Sequence, residues 1–263
     1  MDTVEDNGCH ACWRRDRCLP AGLDTAQIRR LQPFMAHRRP VAEGTTLFAA
    51  TARFSGLYIV RSGGAKSTVI DPDGRERIVG LHLAGGLIGV DGLARNRHEV
   101  TAQALDRLSL CWLSPLTLDR LSGQPDLYRR LFGWIGETVL LQQRQLLAVS
   151  RPVPAERGAL LIVLVAEMLG SVSVPQLSYS LPLSRQDIGN FLFLAGETVS
   201  RAFSTLSRQG AIRVSGRWVE VRHWETLIGE AKLSRSHLPL ARKFGLSERS
   251  VDASVETPVF TTV

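Results

Sequence analysis

Ser184-Arg-Gln-Asp-Ile-Gly-Asn-Phe-Leu-Phe-Leu194, a break at Ala195-Gly196, and Glu197-Thr-Val-Ser-Arg-Ala-Phe-Ser-Thr-Leu-Ser-Arg-Gln209 form the stretch that decides the fold. Ser184 suits a helix start, because its hydroxyl can accept from an amide of the first turn that has no partner inside the helix. Gly210 ends the second segment, where a left-handed residue closes a helix without a Cβ clash. Two short helices around a tight turn read as a helix-turn-helix. Ala-Ile-Arg-Val214, Ser215-Gly216-Arg217 and Trp218-Val-Glu-Val221 then read as a hairpin, the usual wing of such a module.

The second helix of this motif lies in the major groove with its first turns against base edges, while the wing and nearby cations touch phosphate. Glu197, Ser200 and Arg201 share one side of that helix by their steps of three and four residues. Arg201 can donate twice to a guanine, Glu197 can accept from a cytosine amino group, and Ser200 suits either kind of edge. Arg208, Arg213, Arg217 and Arg222 follow as candidate phosphate partners. A solvated basic surface is the plainer reading of the same arginines.

Upstream, Ala155 to Leu169 is strongly apolar and is expected at the centre of this second domain, after a hinge at Arg151-Pro-Val-Pro154. Asp126 to about Val149 reads as one long helix. Phe132, Ile135, Val139, Gln142 and Leu146 recur on it at alternating steps of three and four, drawing a narrow stripe that a second copy of the chain can cover. Trp134, Leu140, Leu141 and Leu147 lie off the stripe, so a purely internal core helix is the alternative. From Val41 to Leu113, short alternating apolar runs such as Leu57-Tyr-Ile-Val60, separated by glycines, indicate an antiparallel roll or barrel.

The chain has four cysteines: Cys9, Cys12 and Cys18 in one polar N-terminal run, and Cys111 at the end of an expected strand. Four converging thiolates suit an iron–sulfur cluster or a structural zinc, with disulfides as a further possibility. The arginines among the first three cysteines read individually as solvated loop residues, and His10 as an exposed one. The six histidines are scattered and no nucleophile–base or zinc-hydrolase pattern occurs, so an enzyme is not expected.

A length of 263 residues allows two domains, each with its own core. The net charge of +7 permits an acidic partner such as nucleic acid. No apolar run reaches a membrane span and no secretory signal opens the chain, so a cytoplasmic protein is expected. The fold class expected is α+β. Its parts are a cysteine-rich segment (1–22), a β-roll (23–118), a dimerisation helix (119–151), a winged helix-turn-helix (152–232) and a poorly ordered tail (233–263).

Cys18-Leu-Pro20, Leu81-His-Leu-Ala-Gly85, the strand ending at Cys111, Asp187-Ile-Gly-Asn190 and Glu197-Thr-Val-Ser-Arg201 together resemble the FNR branch of the CRP/FNR bacterial transcription regulators. The match runs from Cys9 to about Leu227. The resemblance implies a cyclic-nucleotide-binding-like roll and an oxygen-labile 4Fe-4S cluster on Cys9, Cys12, Cys18 and Cys111. It also implies a homodimer that reads inverted TTGAT-type half-sites in double-stranded DNA with Glu197, Ser200 and Arg201 and contacts RNA polymerase. Three residues depart from the family pattern. Gln142 replaces an acidic residue of the dimer seam, Arg75 an acidic residue that touches the sigma factor, and Phe193 a glycine of the helix-turn-helix turn, where Gly196 is expected to supply the flexibility. Val90 and Val100 stand where cyclic AMP receptors carry a glutamate and an arginine, so no cyclic nucleotide is expected.

Overall fold

The computed structural model describes residues 8–169 and 177–233, and it is an α+β fold. The expected tail beyond Leu233 lies outside the described residues. Gly8 to Gly22 has no regular element beyond a 3-10 turn at Arg15–Arg17. Helix α1 (Thr25–Leu31) follows, closed at its start by Asp24 and Gln27, which satisfy each other's backbone amides. Arg30 and Gln27 of α1 both bond Asp126, which fixes α1 to the start of the long helix.

The roll is two four-stranded antiparallel sheets. One has the order β1 (Ala36–Val41), β8 (Leu108–Leu113), β3 (Leu57–Ser62), β6 (Leu87–Ile88). The other runs β2 (Thr46–Phe48), β7 (Thr101–Ala104), β4 (Gly64–Ile70), β5 (Glu76–Leu83). Phe48, Tyr58, Val60, Ala65, Ala102, Leu108 and Leu110 are buried together between the sheets. His98 stacks on Phe48 with ring centroids 3.6 Å apart. His82 accepts or donates one 2.8 Å hydrogen bond with Ser67 in the same interior.

Helix α2 (Pro115–Leu121), started by Pro115 and capped by the Ser114 hydroxyl, leads into α3 (Pro125–Ser150). Leu127, Leu131, Trp134, Thr138, Gln145 and Ala148 are the buried side of α3. Gln145 is the polar clamp on that side: its amide donates to the Leu81 carbonyl at 3.0 Å and its oxygen accepts from the Leu81 amide at 3.2 Å. Leu81 lies on β5, so this pair joins helix to roll.

Helix α4 (Pro154–Leu169) begins at the second hinge proline, and Gly158 through Glu167 are all buried on it. Around it pack β9 (Leu177–Ser180), α5 (Arg185–Leu192), α6 (Gly196–Arg208), β10 (Ile212–Ser215), β11 (Trp218–Val221) and α7 (Trp224–Glu230). The wing is a three-stranded sheet, β10-β11-β9, one strand more than the expected hairpin. The roll keeps its own interior, yet one of its strands also contributes to the second cluster. Ile78, Leu81 and Leu83 of β5 belong to the apolar cluster built on α4, because the outer side of β5 needs cover and α4 has apolar surface on every side. Polar contacts extend this junction: Asn190 of α5 donates to the Glu76 carbonyl at 2.7 Å and accepts from the Ile78 amide at 2.8 Å, and Lys66 of β4 pairs with Asp187 at 3.1 Å.

Burial lowers the His82 pKa to about 4. An unfolded chain binds this proton near pH 6.5, so between those values the unfolded state holds more protons and stability falls as the pH drops. The difference is at most about 3 kcal/mol. Urea midpoints at pH 7 and pH 5 are expected to diverge more for the wild type than for His82→Leu; equal pH dependence would remove His82 from the roll interior.

Candidate functional site

The groove-reading end is built by local rules. Ser184 caps α5 by accepting from the Asp187 amide at 3.0 Å, and Asp187 in turn accepts from the Ser184 amide at 3.1 Å. The turn into α6 passes through Phe193, at φ 54° and ψ 47°. Gly196 is instead the first residue of α6 and does not have a positive φ, so the expected flexibility from Gly196 is not used. An aromatic residue takes the left-handed conformation that glycine adopts without a steric cost. Its exposed ring lies beneath the Arg77 guanidinium, 5.6 Å from the ring centroid. Close approach of the two helices is allowed by Gly189, where a Cβ would meet the Leu194 carbonyl oxygen at 2.5 Å.

Val199, Ala202, Phe203 and Leu206 form the buried side of α6, which leaves Glu197, Ser200 and Arg201 exposed together. Arg201 donates to Glu197 at 2.9 Å, with both side chains mostly in water. Ser200 donates back to the Gly196 carbonyl at 3.1 Å. Arg201 and Glu197 thus pair with each other and Ser200 with the helix backbone, all three on the exposed side of α6. Arg208 and Arg213 are exposed, and Arg217, on the wing turn, is half-exposed with Glu43 at 3.8 Å. Arg222 pairs with Glu220 at 2.7 Å. Sequence reasoning missed Arg185. Its guanidinium lies over the Phe203 ring at 4.5 Å and donates to the Gly216 carbonyl at 3.1 Å, so it lines a groove with Ser200, Ser204 and Arg217. Its place directly after the Ser184 cap, at the open end of a helix beside the wing, was the available signal.

The second candidate site lies at the opposite end of the chain. Cys9, Cys18 and Cys111 are buried in one apolar cluster with Leu19, Ile59, Leu113, Leu131 and Trp134, and Cys12 is half-buried. All four are thiols. Cys111 is delivered by β8, paired to His37 on one side and Ile59 on the other. Burial first, and then the neighbouring Cys111, Cys9 and Cys12, push the Cys18 thiol up to about 12, although the Leu19 amide opposes this. The fold therefore brings the remote cysteine within electrostatic reach of the N-terminal run. Among the described residues, no group of three or more His, Cys, Asp or Glu side chains is arranged as a site for a metal ion. In chemical type the donor set fits a thiophilic centre: four thiols, three of them buried.

The segment around these thiols is more ordered than its polarity suggests. Arg14 is buried, not solvated, and His10 is half-buried, not exposed. Arg130 of α3 donates to the Cys18 carbonyl at 3.1 Å and to the Leu19 carbonyl at 3.2 Å, so backbone groups of the segment take their partners from the long helix.

On α3, Phe132, Val139, Gln142 and Leu146 are exposed, together with Leu140 and Leu147; Ile135 is the exception, half-buried against the cysteine cluster. The face opposite the roll is thus an apolar strip open to water along most of its length.

A mixed fold with a sheet-rich roll, a long helix and an exposed reading helix defines the class as a DNA-binding regulator. Residues 38–123 match the cyclic nucleotide-binding domain and residues 159–229 the Crp-like helix-turn-helix domain. The chain is 32% identical over 231 residues to Electron transport regulator A of Shewanella oneidensis, covering 86% of this chain and 92% of that protein. It is 31% identical over 229 residues to the Fumarate and nitrate reduction regulatory protein of Salmonella typhimurium, covering 87% and 92%. FixK2 from Bradyrhizobium japonicum is a structural neighbour, with a TM-score of 0.66, 26% identity, and coverage of 76% of this chain and 98% of FixK2. The chain belongs to the CRP/FNR family of transcription regulators.

Phe193→Gly is expected to raise stability by about 1 kcal/mol, because it removes a left-handed non-glycine residue. Chemical denaturation checks this. A loss of more than about 1 kcal/mol would mean that the Arg77–Phe193 contact outweighs the backbone strain.

Proposed function

We propose that the protein is a dimeric, oxygen-responsive transcription regulator that carries a 4Fe-4S cluster on Cys9, Cys12, Cys18 and Cys111. The observation that carries this reading is the common burial of Cys9, Cys18 and Cys111 in one apolar cluster, with Cys12 half-buried in the same N-terminal run. When bound, such a cluster supplies an oxidant-sensitive inorganic core. The chain's own residues do the rest: Arg130 holds the carbonyls of the cysteine run, Leu19 and Trp134 shield it from water, and β8 presents Cys111.

Glu197, Ser200 and Arg201 read the base edges of inverted TTGAT-type half-sites, while Arg208, Arg213 and Arg217 neutralise phosphate. Two copies pair along Phe132, Ile135, Val139, Gln142 and Leu146 of α3, which removes the open apolar strip from water. Gln142 is neutral, so charge repulsion at this position of the seam is absent. The roll needs no cyclic nucleotide in this reading. Val90 and Val100 offer neither a cation for a phosphate nor an acceptor for a ribose, and His98, Phe48 and His82 fill space inside it. RNA polymerase is the expected downstream partner and the cytoplasm the expected location. No helix among the described residues is long and apolar enough to cross a membrane.

Two variants test the two ends separately. Cys111→Ala, purified without oxygen, is expected to lose the visible absorbance and iron of the wild type; an unchanged spectrum would remove Cys111 from the ligand set. Arg201→Ala is expected to weaken binding to a duplex bearing the inverted repeat by roughly 10- to 100-fold, since a bidentate base contact contributes about 1–3 kcal/mol. Its thermal midpoint should stay within about a degree, because its side chain is mostly exposed. A large stability loss would assign Arg201 to the core.

A further inference from the structure

Arg14 is the one residue between Cys12 and Cys18 that turns inward, with 8% of its surface exposed. Its Nη1 donates to the carbonyl of Leu169 at 2.6 Å. Leu169 is the last described residue of α4, and carbonyls in the C-terminal turn of a helix carry partial negative charge. The same guanidinium lies 3.9 Å from the centroid of the Trp13 ring. Its Nε has no hydrogen-bond partner among the described residues. A buried guanidinium placed this way is costly to leave without its acceptor, so the Leu169 carbonyl is the contact that justifies its burial.

The cysteine segment therefore touches three parts of the molecule. It meets α3 through Arg130, and it meets the roll where Gly85 lets the Arg17 carbonyl oxygen come within 2.7 Å of the site of a Cβ. It reaches α4 through Arg14. Beneath it lies a cavity of about 340 Å³ lined by Arg17, Leu81, Trp134, Gln145 and Glu167, so the segment spans the junction instead of packing solidly through it. Helix α4 in turn seats the reading helix, with Gly158 placed so that a Cβ there would lie 3.2 Å from the Phe203 ring.

We propose that Arg14 is a positioning residue that docks the cysteine segment on the end of α4 and so sets the placement of the reading helix relative to the roll. This gives the thiols a route to the DNA-binding end that does not pass through the α3 seam. It rests on the proposed cluster only for the identity of the signal; the docking contact is a property of the chain. With no charge at Gln142 to drive subunits apart, such a route can change operator affinity within an intact dimer.

The test uses the full chain purified without oxygen, as wild type, Arg14→Gln and Arg14→Lys. Iron and sulfide content, sedimentation, affinity for a duplex bearing the inverted repeat, and amide exchange in the last turn of α4 are measured on each. Arg14→Gln is expected to keep its iron and its dimer, to bind the duplex about tenfold more weakly, within the usual range of coupling between sites, and to exchange faster at the end of α4. Arg14→Lys, which can still donate to a carbonyl as a point charge, should recover part of both losses. Wild-type affinity and exchange in Arg14→Gln would overturn the proposal. So would a loss of iron in both variants, which would place Arg14 in the cage of the cysteines. If the wild type itself holds no iron, the cluster reading fails, and the exchange data alone decide whether Arg14 holds α4.

Discussion

The guanidinium of Arg130 holds two successive carbonyls, those of Cys18 and Leu19, against the N-terminal part of a long helix. Much else depends on that grip. A run of polar residues with a single 3-10 turn cannot order itself by burying apolar surface. It is ordered because its backbone acceptors are satisfied by its own turns and by Arg130 of α3, because Leu19 inserts into the cluster with Leu131 and Trp134, and because β8 brings Cys111 into the same cluster. Removing the arginine would take the side-chain donor from the Leu19 carbonyl and leave the Cys18 carbonyl with the Ala21 amide alone, a loss of two hydrogen bonds.

The same helix separates two environments by a one-residue rotation. Leu127, Leu131, Trp134, Thr138, Gln145 and Ala148 face the rest of the chain, while Phe132, Val139, Gln142 and Leu146 face water. Both sets step by three, four or seven residues, which keeps each on one side of the helix, so α3 has one side for the internal core and another open to a partner. Its C-terminal half is fixed through the Gln145–Leu81 pair to β5, and β5 shares its outer apolar side with α4. Roll, long helix and reading module are thus joined by shared apolar and hydrogen-bonded contacts, with the cavity under the cysteine segment left between them.

Much of this was legible in the sequence. The strands, the long helix, the Ser184 cap and the two-helix motif follow from periodicity and capping chemistry, and these are local rules. Exposure of Glu197, Ser200 and Arg201 followed from helical spacing alone. What was not legible depends on three-dimensional neighbours. Nothing in a polar run marks Arg14 as buried, because its partner is a carbonyl 155 positions away. Phe193 was visible as a departure from glycine, but only the fold shows that the residue itself takes the left-handed turn while Gly196 starts the next helix. The shared core of β5 and α4 was hidden for a similar reason: alternation shows that a strand has two sides, not what covers the outer one. Ile135 was placed on the dimer stripe by its spacing, and it is drawn half inward by the cysteine cluster beside it.

In the proposed function the state of four thiols controls how the reading helix meets DNA. The most direct measurement follows one oxygen-free sample through air exposure, recording iron, sulfide and affinity for an inverted-repeat duplex on the same material. The account predicts about four iron and four sulfide per chain with tight binding at the start, and a fall in affinity that tracks the loss of iron. An iron-free starting sample, or an affinity that stays constant while iron is lost, would contradict it.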